Sequence, residues 1–260
     1  MPIYNAFDVT QRAVHQLLKY NKNDHVLLIN DASTDKRVIS LFDHLPDSWD
    51  VVNNEHNLGF VKTANIGLKQ TLDNSILLNS DTLVTKNWLQ RFEQVMNTVE
   101  QVGTATPWSN NAEICSIPQT LMFNPIPEDL CTLAYELVTK HDPVYPELPT
   151  AVGFCMLISS KAKQQVGYFD ETTFGMGYGE ENDYSLRVSA AGLKNVLVDN
   201  CYVAHVGNQS FKEKGLQPDD YTMKRLLAKH PQYQMDIQKY IENDPLAEIR
   251  QSIIDKITAF

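Results

Sequence analysis

The chain has 260 residues, 43% of them hydrophobic, which suffices for one large α/β domain or two small ones around a packed core. With 32 acidic against 22 basic residues the net charge is -10, which argues against sequence-independent nucleic-acid binding, since that needs a basic surface. Cys115, Cys131, Cys155 and Cys201 form no C-x-x-C pair, so neither a zinc knuckle nor a disulfide framework is expected, and a reduced, cytoplasmic compartment is the simple reading. No apolar run approaches the ~18 residues of a membrane span and no signal peptide is evident, so membrane contact is expected to be peripheral at most.

In chain order, "AFDVTQRAVHQLLKY" carries Val9, Ala13, Val14, Leu17 and Leu18 on one stripe and predicts an amphipathic helix, capped by Asp8 or Thr10. "HVLLIND" predicts a buried strand over Val26–Ile29 that runs out into polar residues. A second strand is expected near Asp50–Asn53, a helix over "VKTANIGLKQTL", a third strand over Ile76–Leu78, a helix over "NWLQRFEQVMNTV" and a short strand at "VGTATP". This alternation through the first ~110 residues predicts a parallel sheet, with ligands bound beyond the carboxyl ends of its strands. Three of those ends carry Asp31, Asn53–Asn54 and Asp81. The second half is less regular. It reads as a helix between proline-rich loops, a strand at "AVGFCMLIS", a short helix at "KAKQQVGYFD", a helix over "ENDYSLRVSAAG" stopped by Gly192, and two short strands in "KNVLVDNCYVAHVG". From about Pro218 onward the pattern is helical and charged. One domain over residues 1–211 and a helical C-terminal extension over 212–260 follow.

Several of these residues can carry chemistry. Asp81, just past a buried strand, is suited either to holding a hard divalent cation or to ordinary turn and cap work. Asp31 can accept a hydrogen bond from a base or ribose, while Ser33, Thr34 and Asp35 also read as turn chemistry. "NNEHNLGFVKTANIG" contains neither G-x-G-x-x-G nor G-x-x-x-x-G-K-[ST], which speaks against a dinucleotide fold and a P-loop hydrolase. His205 alone is incidental. Together with Asp81 it would complete a mixed oxygen and nitrogen site suited to manganese or magnesium. In "GMGYGEENDYSLR", Glu180, Glu181 and Asp183 crowd one helix start, which raises the pKa of at least one. Acids there suit the positive helix end without any function, and Asp183 and Arg187 can pair four residues apart. A carboxylate in that place can equally take a proton from an acceptor hydroxyl.

Taken together, "PIYNAFDVTQRAV", "LLINDASTD", "NNEHNLGFVKTANIGL", "LLNSDTLVTKNWL", "VGFCMLISSKAKQQVGYFDE", "GYGEENDYSLRVSAAG" and "AHVGNQSF" occur in the order seen in family 2 glycosyltransferases. The chain resembles that family over residues 2–211, and within it the bacterial enzymes that build O-antigen, capsule or related surface polysaccharide; "SNNAEICSIP" adds to the likeness. The resemblance implies a GT-A fold, a Rossmann-like, mostly parallel sheet flanked by helices. It implies inverting transfer of a sugar from a nucleotide-sugar to an acceptor hydroxyl of a glycan or lipid-linked glycan, in the cytoplasm or at the inner membrane face. Carried over residue by residue, Tyr4 would lie against the base and Asp31 would bond to it, with Asn5 beside them. Asn57, Gly59 and Asn65 would line the nucleotide-sugar pocket. Asn79, Ser80 and Asp81 would form the D-x-D motif, with Asp81 and His205 on Mn2+ or Mg2+. Glu181 would be the general base, Glu180 would position the acceptor or the base, and Asp183 would orient the helix or the acceptor. Asp31 suits the N3–H of uracil or thymine, hence a UDP- or dTDP-linked donor.

The chain departs from the family pattern in three places. Asn79 replaces an aspartate, Glu181 replaces the aspartate of an "ED" pair, and only Met1–Ile3 stand where relatives have a longer hydrophobic strand. The first and third departures motivate an alternative, a GT-A domain that binds nucleotide or glycan without turnover. A nucleotidyltransferase is disfavoured by the lack of a glycine-rich basic loop near the N-terminus.

Overall fold

The computed structural model describes residues 1–175, 177–207 and 220–259, so the expected boundary between residues 211 and 212 lies outside the described residues. Strands β1 (Pro2–Ile3), β2 (Val26–Asn30) and β3 (Trp49–Asn53) form a parallel sheet in that order, as the alternation predicts. The short start still pairs. Ile3 is 1% exposed and stands opposite Asn30, and Met1 O accepts the Ile29 amide at 2.9 Å.

The chain continues through β4 (Ser75–Leu78), β5 (Thr82–Leu83), β6 (Val102–Trp108), β7 (Glu147–Leu148), β8 (Cys155–Ile158), β9 (Lys194–Tyr202) and β10 (Ala204–His205). Five of these form a second sheet in the order β4-β8-β6-β9-β7. It is mixed: β6 and β9 are parallel, whereas β8 runs antiparallel to both β4 and β6, and β7 antiparallel to β9. The antiparallel member comes from the irregular second half of the chain. A two-stranded ribbon of β5 and β10 completes the strands described.

Helix α1 (Phe7–Asn21) buries Ala13, Val14 and Leu17, the predicted stripe. Its start differs from expectation: neither Asp8 nor Thr10 caps it. Asn5 and Ala6 take left-handed φ values of 50° and 49°, and this turn starts the helix at Phe7 instead. Helix α2 is Lys36–Ser40, α3 Phe60–Leu68, α4 Trp88–Thr98, α5 Leu130–Lys140, α6 Ser160–Val166, α7 Glu171–Phe174 and α8 Glu180–Ala190, with Gly192 just past the last as predicted. All four cysteines are free.

The extension forms helices α9 (Asp220–Lys229), α10 (Tyr233–Asn243) and α11 (Ala247–Lys256). They are not an appendage. Leu226 joins one buried cluster with Met156, Phe174, Tyr184 and Val188, while Leu246, Ile253 and Ile257 join the other with Trp108 and Tyr202. Burying these side chains removes apolar surface from water at both ends of the extension, at ~25 cal/mol per Å². Among the described residues no helix is long and apolar enough to cross a membrane.

The close approach of α8 to β6 generates a test. A Cβ on Gly103 would collide with Val188 Cγ1 and lie 2.9 Å from Leu193 Cβ. Gly103→Ala is expected to destabilise the fold by about 1–3 kcal/mol through overpacking, seen as a lowered thermal unfolding midpoint.

Candidate active site

The polar residues expected at strand ends do lie there. After β1, Asn5 holds the β2–α2 loop: its Oδ1 accepts the amides of Thr34 (2.8 Å) and Asp35 (3.1 Å), and its own amide donates to Ser33 Oγ at 3.0 Å. Consecutive left-handed non-glycine residues persist only where their surroundings over-determine them, and these bonds supply that. After β2, Asp31 is 3% exposed. Its Oδ1 accepts from Asn54 Nδ2 (2.9 Å) and Leu58 N (2.8 Å), and Oδ2 from Gly59 N (3.0 Å). Gly59 sits at φ +84°, where an L side chain is strained, and starts α3 directly under that carboxylate. Asn57 Nδ2 donates to Asp31 O at 3.3 Å, so the 54–59 loop is folded around this one aspartate. With four acceptor sites on a carboxylate and three used, one site on Oδ2 remains for a ligand.

After β4, Asn79 and Ser80 lead into Asp81, which is 7% exposed. The β5–β10 ribbon sets His205 opposite Thr82, so His205 Nε2 comes to 3.4 Å from Asp81 Oδ1. The ring is held on its other side, with Nδ1 2.8 Å from Asn111 O, and it stacks on Phe154 at 5.1 Å between centroids. Burial pulls the His205 pKa down, but the bond to Asp81 and its charge outweigh burial, and the net shift is upward. Asn79 Oδ1 is buried without a hydrogen-bond partner. An aspartate–histidine pair is a mixed oxygen and nitrogen donor set of the kind that fits Mn2+ or Mg2+. Among the described residues no group of three or more His, Cys, Asp or Glu side chains is placed to hold a metal.

Glu180, Glu181 and Asp183 lie in the first turn of α8, behind Gly179 at φ +87°. Glu180 is 5% exposed and its Oε2 has no partner. Burial, and next the charge of Glu181, push its pKa well above the ordinary glutamate range. Burial raises Glu181 as well, with Glu113 adding to it. Gly153 and Phe154 join these acids to the Asp81 side. A Cβ on Gly153 would lie 3.5 Å from Glu181 Cβ, while Phe154 O accepts the Asn79 amide at 2.8 Å and the Phe154 ring covers His205. One dipeptide at the start of β8 therefore touches both halves of the site.

The model for the family described as "Glycosyl transferase family 2" matches residues 1–166. The chain belongs to glycosyl transferase family 2. A search of curated proteins finds no match. Among solved structures, GalNAc-T7 with UDP, GalNAc and Mn2+ matches with a TM-score of 0.62 at 17% identity, over 99% of this chain but 57% of its own. The chain thus spans little more than half of that neighbour. Mannosyltransferase PcManGT from Pyrobaculum calidifontis, in complex with GDP-Man and Mn2+, matches with a TM-score of 0.56 at 12% identity, over 98% of this chain and 72% of its own. The fold is GT-A.

Within this family 2 domain, two expected site residues are occupied elsewhere. Asn65 is 1% exposed: Nδ2 donates to Phe169 O (2.9 Å) and Glu171 Oε1 (2.7 Å), and Oδ1 accepts the Phe169 amide at 3.1 Å. It ties α3 to α7 and to the residues just before it. Asp183 is 0% exposed and meets Arg187 (2.8 Å), Lys229 (2.7 Å) and His230 (2.9 Å). Burial opposes its charge, but Lys229, His230 and Arg187 outweigh burial and hold its pKa low. Its carboxylate ties α8 to the start of the C-terminal helices. Tyr4 is half-buried just after β1.

Sequence reasoning missed Asn110, which is 0% exposed. Its Oδ1 accepts the His205 amide (2.8 Å) and its Nδ2 donates to His205 O (3.0 Å), so one side chain clamps both backbone groups of the histidine. The only signal was its place in "SNNAEICSIP".

A buried, unpartnered Glu180 makes a prediction about stability. A raised folded pKa means this group supports folding fully below the ordinary glutamate pKa, and that support is lost as pH rises through the folded value. Glu180→Gln keeps the shape and removes the ionisation. Its unfolding midpoint is expected to gain on that of the wild type as pH rises from acid to neutral; a difference that stays flat with pH would return Glu180 to an ordinary pKa.

Proposed function

We propose that the chain is an inverting, metal-dependent glycosyltransferase that moves a sugar from a UDP- or dTDP-linked donor to a hydroxyl of a growing glycan. By the likeness of its motifs, that glycan is bacterial O-antigen, capsule or another surface polysaccharide, extended at the cytoplasmic face of the membrane on a lipid-linked acceptor. The observation that supports the reading is the Gly153–Phe154 dipeptide, whose first residue abuts Glu181, of raised pKa, and whose second stacks its ring on His205 of the Asp81–His205 pair. The solved neighbours were complexed with UDP and Mn2+ or with GDP-Man and Mn2+, which supports a nucleotide-sugar donor.

In this reading, Asp31 offers its remaining acceptor site to the base and Tyr4 lies against it. Asp81 and His205 hold a divalent cation, with Asn79 Oδ1 beside them. When bound, that cation offsets the charge that grows on the departing diphosphate. Glu181 takes the proton of the incoming hydroxyl, on the face of the sugar opposite the diphosphate, and its raised pKa suits a base working near neutrality. Glu180, whose pKa burial pushes well above the ordinary glutamate range, helps to position the acceptor or the base. A single displacement needs no covalent sugar on the protein.

The first experiment is a thermal-shift screen of UDP, dTDP, GDP and CMP, each with Mn2+ and with EDTA, on the wild type and on Asp81→Ala. A ligand of the folded state alone raises the unfolding midpoint. A Mn2+-dependent shift with UDP or dTDP that Asp81→Ala abolishes is expected; the same metal dependence in the variant would remove Asp81 from the metal. Glu181→Gln is expected to keep that shift and to lose roughly 10²–10⁴-fold in donor turnover, the range for one general base. Full turnover in Glu181→Gln would transfer the base role to Glu180. Nucleotide binding with no turnover by the wild type would favour a binding domain.

A further inference from the structure

The extension reaches the candidate bases. Lys229 Nζ, at the end of α9, is 2.7 Å from Asp183 Oδ1 and 2.8 Å from Asp170 Oδ2. His230 Nε2 is 2.9 Å from Asp183 Oδ1, and the Tyr233 hydroxyl donates to Asn182 Oδ1 at 3.2 Å. Arg225 Nη1 donates to Thr173 O at 3.2 Å. These partners flank the acid-bearing turn on both sides. Asp170 caps α7, accepting the Thr172 and Thr173 amides at 3.0 Å, and Asp183 sits in the first turn of α8. Glu180 and Glu181 stand between them, behind Gly179, against which Thr222 of α9 packs.

A carboxylate as buried as Asp183 requires compensating charge, and Arg187 of its own helix supplies only part of it. Lys229 and His230 add an ammonium and an imidazole from the end of α9, beyond the family 2 match, which ends at residue 166, ahead of α8 as well. Glu180 has no partner of its own, and Glu181 sits on the same turn, so the placement of both depends on how firmly that turn is held.

We propose that the extension is part of the catalytic unit, with Lys229 and His230 as positioning residues that act through Asp183 and Asp170 to hold Glu180 and Glu181 where a hydroxyl proton is taken. This rests on the base role proposed above. A misplacement of about 1 Å costs on the order of 10²-fold in rate, so the ties act on turnover rather than on nucleotide binding, assigned above to Asp31, Asp81 and His205.

The test uses the full chain with Lys229→Met, Lys229→Arg and His230→Gln. In Lys229→Met, amide hydrogen exchange is expected to accelerate across residues 177–183 and not across 75–83. The Mn2+–UDP thermal shift should persist while kcat falls at least about tenfold, and Lys229→Arg should recover most of it. Unchanged exchange over 177–183, or unchanged kcat in a folded Lys229→Met, overturns the proposal. So does a parallel loss of binding and kcat that Lys229→Arg does not recover, since that marks a tie that only stabilises the fold. If Lys229→Met does not fold, His230→Gln, which leaves Lys229 in place, is read by the same criteria. A wild type that neither binds nucleotide nor turns over donor sinks the functional reading by itself, and the exchange comparison still decides whether the extension holds the turn.

Discussion

Asp183 is sealed from water, and its charge is met by Arg187, Lys229 and the His230 ring, drawn from two parts of the chain. An uncompensated charge in that place would cost several kcal/mol, so the position of α8 and the docking of α9 are set by the same interaction. The two acids just before it are treated differently. Glu180 is buried with no partner at Oε2 and its pKa is pushed well above the ordinary range, while Glu181 lies on the side that faces Gly153. Three carboxylates within four residues therefore hold three protonation tendencies. Environment, not residue type, divides the work between chemically equal groups.

The second constraint is topological. β8 returns antiparallel between β4 and β6, and this puts its first residues beside the carboxyl end of β4. Phe154 can then take the Asn79 amide on its carbonyl and lay its ring on His205. A purely parallel sheet would have delivered that end of β8 elsewhere. The irregular half of the chain thus aims the regular half, and Asn110 completes the arrangement by gripping the His205 backbone from a buried loop.

Much of this was legible in the sequence because it rests on local periodicity. The apolar runs ending in Asp31, Asn53 and Asp81 are strands with polar ends, and α8 stops at Gly192, as pattern and cap rules require. The pairing of Asp183 with Arg187 follows from helical spacing alone. The motifs marked the strand-end acids and the acidic helix start. What pattern could not give was the partners of the polar side chains. Asn65, assigned through the resemblance to a nucleotide-sugar pocket, bonds to Phe169 and Glu171, about a hundred residues away. A buried amide takes whichever partners satisfy all its groups, and pattern carries no information on where those are.

By itself, then, the sequence determined the alternating elements, the acidic strand ends, and the presence of carboxylates at one helix start, because each depends on neighbours within a turn or a strand. Only the tertiary structure decided which carboxylates have their pKa raised by burial and which is paired. It also decided that the extension shares both hydrophobic clusters instead of trailing from them. Those outcomes depend on desolvation and on charges brought from distant segments, and burial is a property of the packed chain rather than of any stretch of it.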